Sequence, residues 1–128
     1  MQVEKVNRDD GLAQVNLTGK MDASSVLVVG QELCRAIADE KNWVLVDLLG
    51  ISEMTYSGIG MLLQCHRALE QRGFGLILVA PPGPVRDVLD LARLPHRVAV
   101  HSSLQEATFS LDGETLPLDW VVDDDLDA

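Results

Sequence analysis

The stretch Val44-Leu45-Val46-Asp47-Leu48-Leu49-Gly50-Ile51-Ser52-Glu53-Met54-Thr55-Tyr56-Ser57-Gly58-Ile59-Gly60-Met61-Leu62-Leu63 decides the architecture. Together with Trp43, its first part is a compact apolar run over residues 43–49 with β-branched and aromatic members. That is the pattern of a central strand covered on both faces. A loop over residues 50–56 follows. From Ser57 the apolar spacing turns helical, with Ile59, Leu62, Leu63, His66 and Leu69 on one side as far as Arg72, and Gly73 stops the helix. A serine therefore stands where a helix opens behind a buried strand. Its hydroxyl is an N-cap candidate, close to backbone N–H groups that have no partner within the helix. Gly58 and Gly60 beside it read as positions for close packing and turn geometry.

Outward from this segment, strands and helices alternate. Residues 24–40 carry Val26, Val29, Leu33 and Ile37 at intervals of three or four, a helix that Asp22 or Ser24 can cap. Before it, residues 2–8 and 12–17 read as short strands joined by the turn Asp9-Asp10-Gly11, and Gly19 and Asp22 end the second. On the other side, residues 76–79 form another fully apolar strand, followed by a Pro81-Pro82-Gly83 loop. Pro84 suits the first turn of a third helix carrying Val85, Val88, Leu89 and Ala92, which closes at Leu94-Pro95-His96. Residues 98–100 make a short last strand. Ser103-Leu104-Gln105-Glu106 is a capping box for a final helix over residues 104–111. The order β-β-α-β-α-β-α-β-α predicts an α/β fold: a mainly parallel sheet of four to five strands, one antiparallel edge strand and about four helices.

Length and charge narrow the function. The chain has 128 residues, room for one domain with one core. The division expected is residues 1–111 as that domain and residues 112–128 as an acidic appendage, in which Leu116, Leu118, Trp120 and Val121 supply the apolar side chains for a docked segment. The net charge is −10, but seven acids lie from Asp112 onward, leaving 20 − 7 = 13 acids against 10 bases in the body. Phosphate-backbone binding needs a cationic face, and none is present, so nucleic acid is set aside as a partner. No apolar run is long enough to span a bilayer, and the first residues lack a secretory pattern. The expectation is a cytoplasmic protein without direct membrane insertion, with Cys34 and Cys65 as two reduced core thiols.

Enzyme motifs fail on inspection. Gly58-Ile59-Gly60 has Leu63 where a dinucleotide fingerprint needs its third glycine. Around Ser57 the first glycine of a nucleophile elbow is missing. His66, His96 and His101 have no metal-ligand spacing with the cysteines. His66 borders the buried face of its helix. The other two are expected to be exposed or locally hydrogen-bonded. The reading is a binding module with no catalytic residues, no metal and no cofactor.

The quoted stretch resembles the signature of STAS domains, the anti-sigma-factor antagonist family: an apolar strand ending in Asp-Leu, then Asp-Ser-Ser-Gly-Leu-Gly opening a helix. Gly19-Lys20-Met21-Asp22 is similar to the family's Gly-x-Leu-Asp, and Ser103-Leu104-Gln105-Glu106-Ala107 to its Ser-Leu-x-Glu-Ala. The resemblance implies a stand-alone regulatory module that binds an anti-sigma factor with a serine-kinase fold. In that family the kinase phosphorylates the serine directly before the glycine, and a metal-dependent serine phosphatase reverses it. By position the acceptor is Ser57, and Asp22 lies in the loop beside it. The partner-binding set is then Asp22, Thr55, Tyr56, Ser57, Gly58 and Ile59. Thr55-Tyr56 stands where the family has Asp-Ser, which makes Thr55 the alternative acceptor. It also leaves a second function open: a non-switching STAS scaffold subunit of a lipid-trafficking transporter or a signalling complex.

Overall fold

The structure, a computed structural model, describes residues 2–8, 12–38, 40 and 42–113. The turn Asp9-Asp10-Gly11 and the appendage beyond Gly113, with its proposed docking residues, lie outside them.

Among the described residues, five strands form one sheet in the order β1-β2-β3-β4-β5: β1 (Gln2–Asn7), β2 (Ala13–Met21), β3 (Val44–Met54), β4 (Leu76–Val79) and β5 (Ala99–His101). β1 pairs antiparallel with β2 at the edge, and the remaining pairs are parallel. The α/β expectation of a mainly parallel sheet with one antiparallel edge strand holds. Among the same described residues, four helices connect or follow the strands: α1 (Val26–Ile37), α2 (Tyr56–Glu70), α3 (Pro84–Leu91) and α4 (Leu104–Gly113). A 3₁₀ turn, Leu94–His96, lies between α3 and β5.

The apolar runs of β3 and β4 follow from what covers them. Val44, Val46, Leu48, Leu76, Leu78 and Ala80 face a core built with Val29 and Leu33 of α1, Leu62 and Leu69 of α2 and Leu89 of α3. Leu45, Ile77 and Val79 point the other way, where Ala107 and Leu104 of α4 cover them with Trp43. Side chains alternate across a strand, so a strand covered on both faces has no place for exposed polar positions. β2, by contrast, alternates: Ala13, Val15 and Leu17 are buried in the main core, while Gln14 and Asn16 are linked by a 2.9 Å hydrogen bond.

Two boundaries differ from the sequence reading, and the same cause explains both. Residues 50–54 continue β3 rather than forming a loop, and β2 runs through Gly19 to Met21. Register shifts occur between Asn16 and Thr18 and between Gly19 and Lys20, where β3 has an extra residue against β2 each time. Each such bulge flips the in–out phase, so period-two alternation disappears although pairing continues. Leu48 and Ile51 thus both face inward, and Leu49 is left 55% exposed.

α1 is shorter than its apolar pattern, Val26–Ile37 against 24–40, and its C-terminal carbonyls are held by Arg72. The guanidinium donates to the carbonyls of Ala38 (2.8 Å), Glu40 (3.1 Å) and Ile37 (3.3 Å), a cation at the negative end of a helix. Half of the capping box at α4 forms as expected, with Glu106 N–H donating to Ser103 Oγ at 3.1 Å, while Glu106 Oε1 reaches one residue further and accepts the Ser102 N–H at 2.9 Å. His66 is buried and more than a border residue. Its Nδ1 accepts the Leu76 N–H at 3.1 Å, which fixes the neutral ring with its proton on Nε2, 3.4 Å from Glu70. Desolvation pulls its pKa below the usual histidine value.

One core expectation fails. Cys65 is buried, but Cys34 is exposed on α1. Cys34 directly follows the buried Leu33, and a one-residue step turns a helical side chain about 100° away from its neighbour's face.

Candidate functional site

The site lies where β2 and β3 end side by side. Met21 pairs with Met54 in register, the chain then turns into α1 on one strand and α2 on the other, and both helices begin at this edge of the sheet.

On the β2 side, Asp22 organises the turn. Its Oδ1 accepts from Ser24 Oγ (2.7 Å), the Ser24 N–H (3.1 Å) and the Ser25 N–H (3.2 Å). Its backbone carbonyl accepts the N–H groups of Ser25 and Val26 at 3.1 and 3.0 Å. The Ser24 hydroxyl bond, followed by those from Ser25, holds the Asp22 carboxyl below its ordinary value, so it is an anion near neutral pH. Helix α1 begins after Ser25, whose hydroxyl donates to the Lys20 carbonyl at 2.7 Å rather than capping the helix. Asp22 is therefore a turn organiser ahead of the helix, not its N-cap residue.

On the β3 side the helix begins one residue earlier than expected. Thr55 is the N-cap, Tyr56 is the first helical residue and Ser57 the second. This corrects the reading of Ser57 as the cap. Thr55 makes no side-chain cap hydrogen bond. Its hydroxyl is diverted to the Met21 carbonyl at 3.0 Å, and its N–H donates to the same carbonyl at 3.0 Å. A carbonyl only accepts, so the single Thr55 proton is committed to Met21. The contact between Thr55 Oγ1 and Ser57 Oγ, 3.0 Å, must then be donated by Ser57. Thr55 thus fixes the Ser57 hydroxyl by its proton, on an exposed residue.

The other expected contacts divide. Tyr56 is 65% exposed. Gly58 and Ile59 lie beneath the surface, and a Cβ on Gly58 would sit 2.4 Å from Met21 Cγ and 2.8 Å from Met54 Sδ. They hold α2 against the strand ends and offer no side chain to a partner. Sequence reasoning missed two features. Met21 ties the two strand exits together through its backbone carbonyl, which no side-chain motif can announce. Leu27 and Val28 are exposed on the first turn of α1, at 71% and 56%, and with Tyr56 they give this edge an apolar fringe. Among the described residues no group of three His, Cys, Asp or Glu side chains is placed to hold a metal ion, and no helix is long and apolar enough to cross a membrane.

The sequence model of the STAS domain family matches residues 4–107. The chain belongs to the STAS domain family. Solved STAS structures superimpose over nearly the whole described region. An anti-sigma factor antagonist from Mycobacterium paratuberculosis gives a TM-score of 0.74 at 19% identity, covering 87% of this chain and 93% of that one. The anti-sigma factor antagonist SpoIIAA in its unphosphorylated form gives 0.67 at 25% identity, with 88% and 96% covered. The phosphorylated form of SpoIIAA, described as a Bacillus cell fate determinant, gives 0.62 at 21% identity, with 86% and 99% covered. This STAS domain shares the fold of these proteins.

Proposed function

We propose that this STAS domain is an anti-sigma factor antagonist: it docks an anti-sigma factor of serine-kinase fold at the shared mouth of α1 and α2 and is switched by phosphorylation at Ser57. The observation that supports this reading most is the Ser57 hydroxyl itself, exposed at the second position of a helix whose first N–H groups receive no side-chain cap.

A phosphate on Ser57 brings a charge of about −1.5 to −2 to the positive end of α2, where the free domain tolerates it. A docked protein surface does not: the dianion has to be desolvated, beside the Asp22 turn that already carries a carboxylate. The unmodified form is the binding form, and the phosphorylated form lets go. Thr55, the other candidate acceptor, is half-buried and spends its proton on Met21, so Ser57 is the better placed of the two. ATP and its metal belong to the kinase, and a metal-dependent serine phosphatase restores the binding form. The chain itself contributes a surface and an acceptor, with no catalytic group. That the SpoIIAA structures exist in unphosphorylated and phosphorylated forms supports a switch on this fold.

The test is recovery of the chain with its partners from its own cells, followed by phosphate mapping of the peptide spanning residues 54–67. A serine-kinase-fold protein in the eluate and phosphate on Ser57 are expected. A transporter ATPase in the eluate, with that peptide never modified, rejects the switch in favour of a constitutive scaffold.

A further inference from the structure

The STAS domain carries two cysteines, Cys34 on α1 and Cys65 on α2, 31 positions apart in sequence and with sulfurs 3.9 Å apart. They belong to a repeated contact between the helices. One turn earlier on each helix, Gly30 faces Met61, and a Cβ on Gly30 would lie 3.0 Å from Met61 Cγ. The glycine lets the two backbones approach, and the next turn brings the thiols together. Cys34 is exposed and lines an open groove of about 560 Å³ with Gly30, Gln31 and Gln64, whereas Cys65 is buried.

We infer that Cys34 and Cys65 form a thiol redox site that closes to an intramolecular disulfide, clamping α1 to α2. A disulfide needs its sulfurs at about 2.05 Å, so the gap to close is less than the swing of one Cys34 side-chain rotation. The division of labour follows from access. Cys34 meets the oxidant from the groove, as thiolate, and attacks a peroxide: the sulfur takes one oxygen, the O–O bond breaks, and hydroxide leaves. Cys34 is then a sulfenic acid, oxidised by two electrons, and the peroxide is reduced by two. Cys65, as thiolate, attacks the Cys34 sulfur; the S–S bond forms and the hydroxyl departs, leaving as water with the thiol proton. Two thiols and one hydrogen peroxide give one disulfide and two waters.

The second step needs the Cys65 thiolate. Burial first, and then the neighbouring Cys34, push the Cys65 thiol up to about 12, so little of it is ionised near neutral pH. Closure therefore accelerates as pH rises below that value, while the fixed proximity of the two sulfurs offsets the scarcity of thiolate. The bond joins the two helices whose N-termini flank the Ser57 edge, but its formation does not depend on what docks there.

The test treats the full chain with hydrogen peroxide over a pH series, with intact mass, alkylation of remaining thiols and peptide mapping as readouts. The inference expects a monomer lighter by two hydrogens, a mapped Cys34–Cys65 crosslink reversed by dithiothreitol, and a melting temperature higher by roughly 10 °C, as a disulfide closing a loop of this length gives. Cys34→Ser, a substitution at an exposed position, abolishes the mass loss and leaves Cys65 unalkylated in the folded chain. Dimers joined through Cys34 with Cys65 still reduced, or Cys34 carried on to sulfinic acid with no crosslink at any pH, overturn it.

Discussion

Gly58 and Gly60 look equivalent in sequence, two small residues flanking Ile59, yet their surroundings are opposite. A methyl on Gly58 collides with Met21 and Met54, whereas one on Gly60 meets nothing within 4 Å. Gly58→Ala should destabilise the domain by about 1–3 kcal/mol, the usual cost of overpacking. Gly60→Ala, on an exposed helical face, should stabilise it by up to about 1 kcal/mol. Urea denaturation of the two variants measures both signs. The packing reading of the sequence therefore holds for Gly58 and fails for Gly60, since neighbours decide the matter and the one-dimensional pattern contains none of them. The same limit applied to Ser57. Its place near a helix start was legible from the strand, the loop and the following 3.6-residue period. That Thr55 is the cap, and that it gives its proton to Met21 instead of capping, depended on a main-chain carbonyl 34 positions away.

Helices and the buried strand segments announced themselves because each keeps one period throughout. β3 changes phase twice against β2, and that is why residues 50–54 read as loop. Gly50 marks the first shift: a Cβ there would lie 2.3 Å from Thr18 Cγ2 and 3.1 Å from the Leu17 carbonyl oxygen. Between α2 and β4 the decisive contact is a histidine. His66 must stay neutral to accept the Leu76 N–H, and burial lowers its pKa in the folded domain below the ordinary histidine value of about 6.5. The unfolded chain then binds more protons than the folded one as pH drops below 6.5, so this residue's contribution is complete above that pH and declines beneath it. The expected result is a melting temperature that falls between pH 7 and pH 5, with less of a fall in a His66→Gln variant; an equal fall in both would remove His66 as the cause. At the far end of α1, Arg72→Ala leaves three carbonyls without their cation and should cost about 1 kcal/mol in the same denaturation assay.

For the molecule as a whole, the charge and the core tell separate stories. α1, α2 and α3 cover one face of the sheet and α4 covers the β3–β5 part of the other, so a truncation of Leu62 at the centre of the larger core should cost about 2–5 kcal/mol without altering the surface edge where Asp22, Tyr56 and Ser57 lie. That edge is exposed, apolar at Leu27, Val28 and Tyr56, and anionic at Asp22, which suits a docking surface that one added dianion would spoil. The most direct measurement is calorimetric titration of the proposed anti-sigma factor partner, once recovered with the chain, against the wild type, Ser57→Ala and Ser57→Asp. The alanine variant is expected to bind within a few-fold of wild type and the aspartate variant at least about tenfold more weakly, a difference of about 1.4 kcal/mol or more. Equal affinities for the two variants would contradict it.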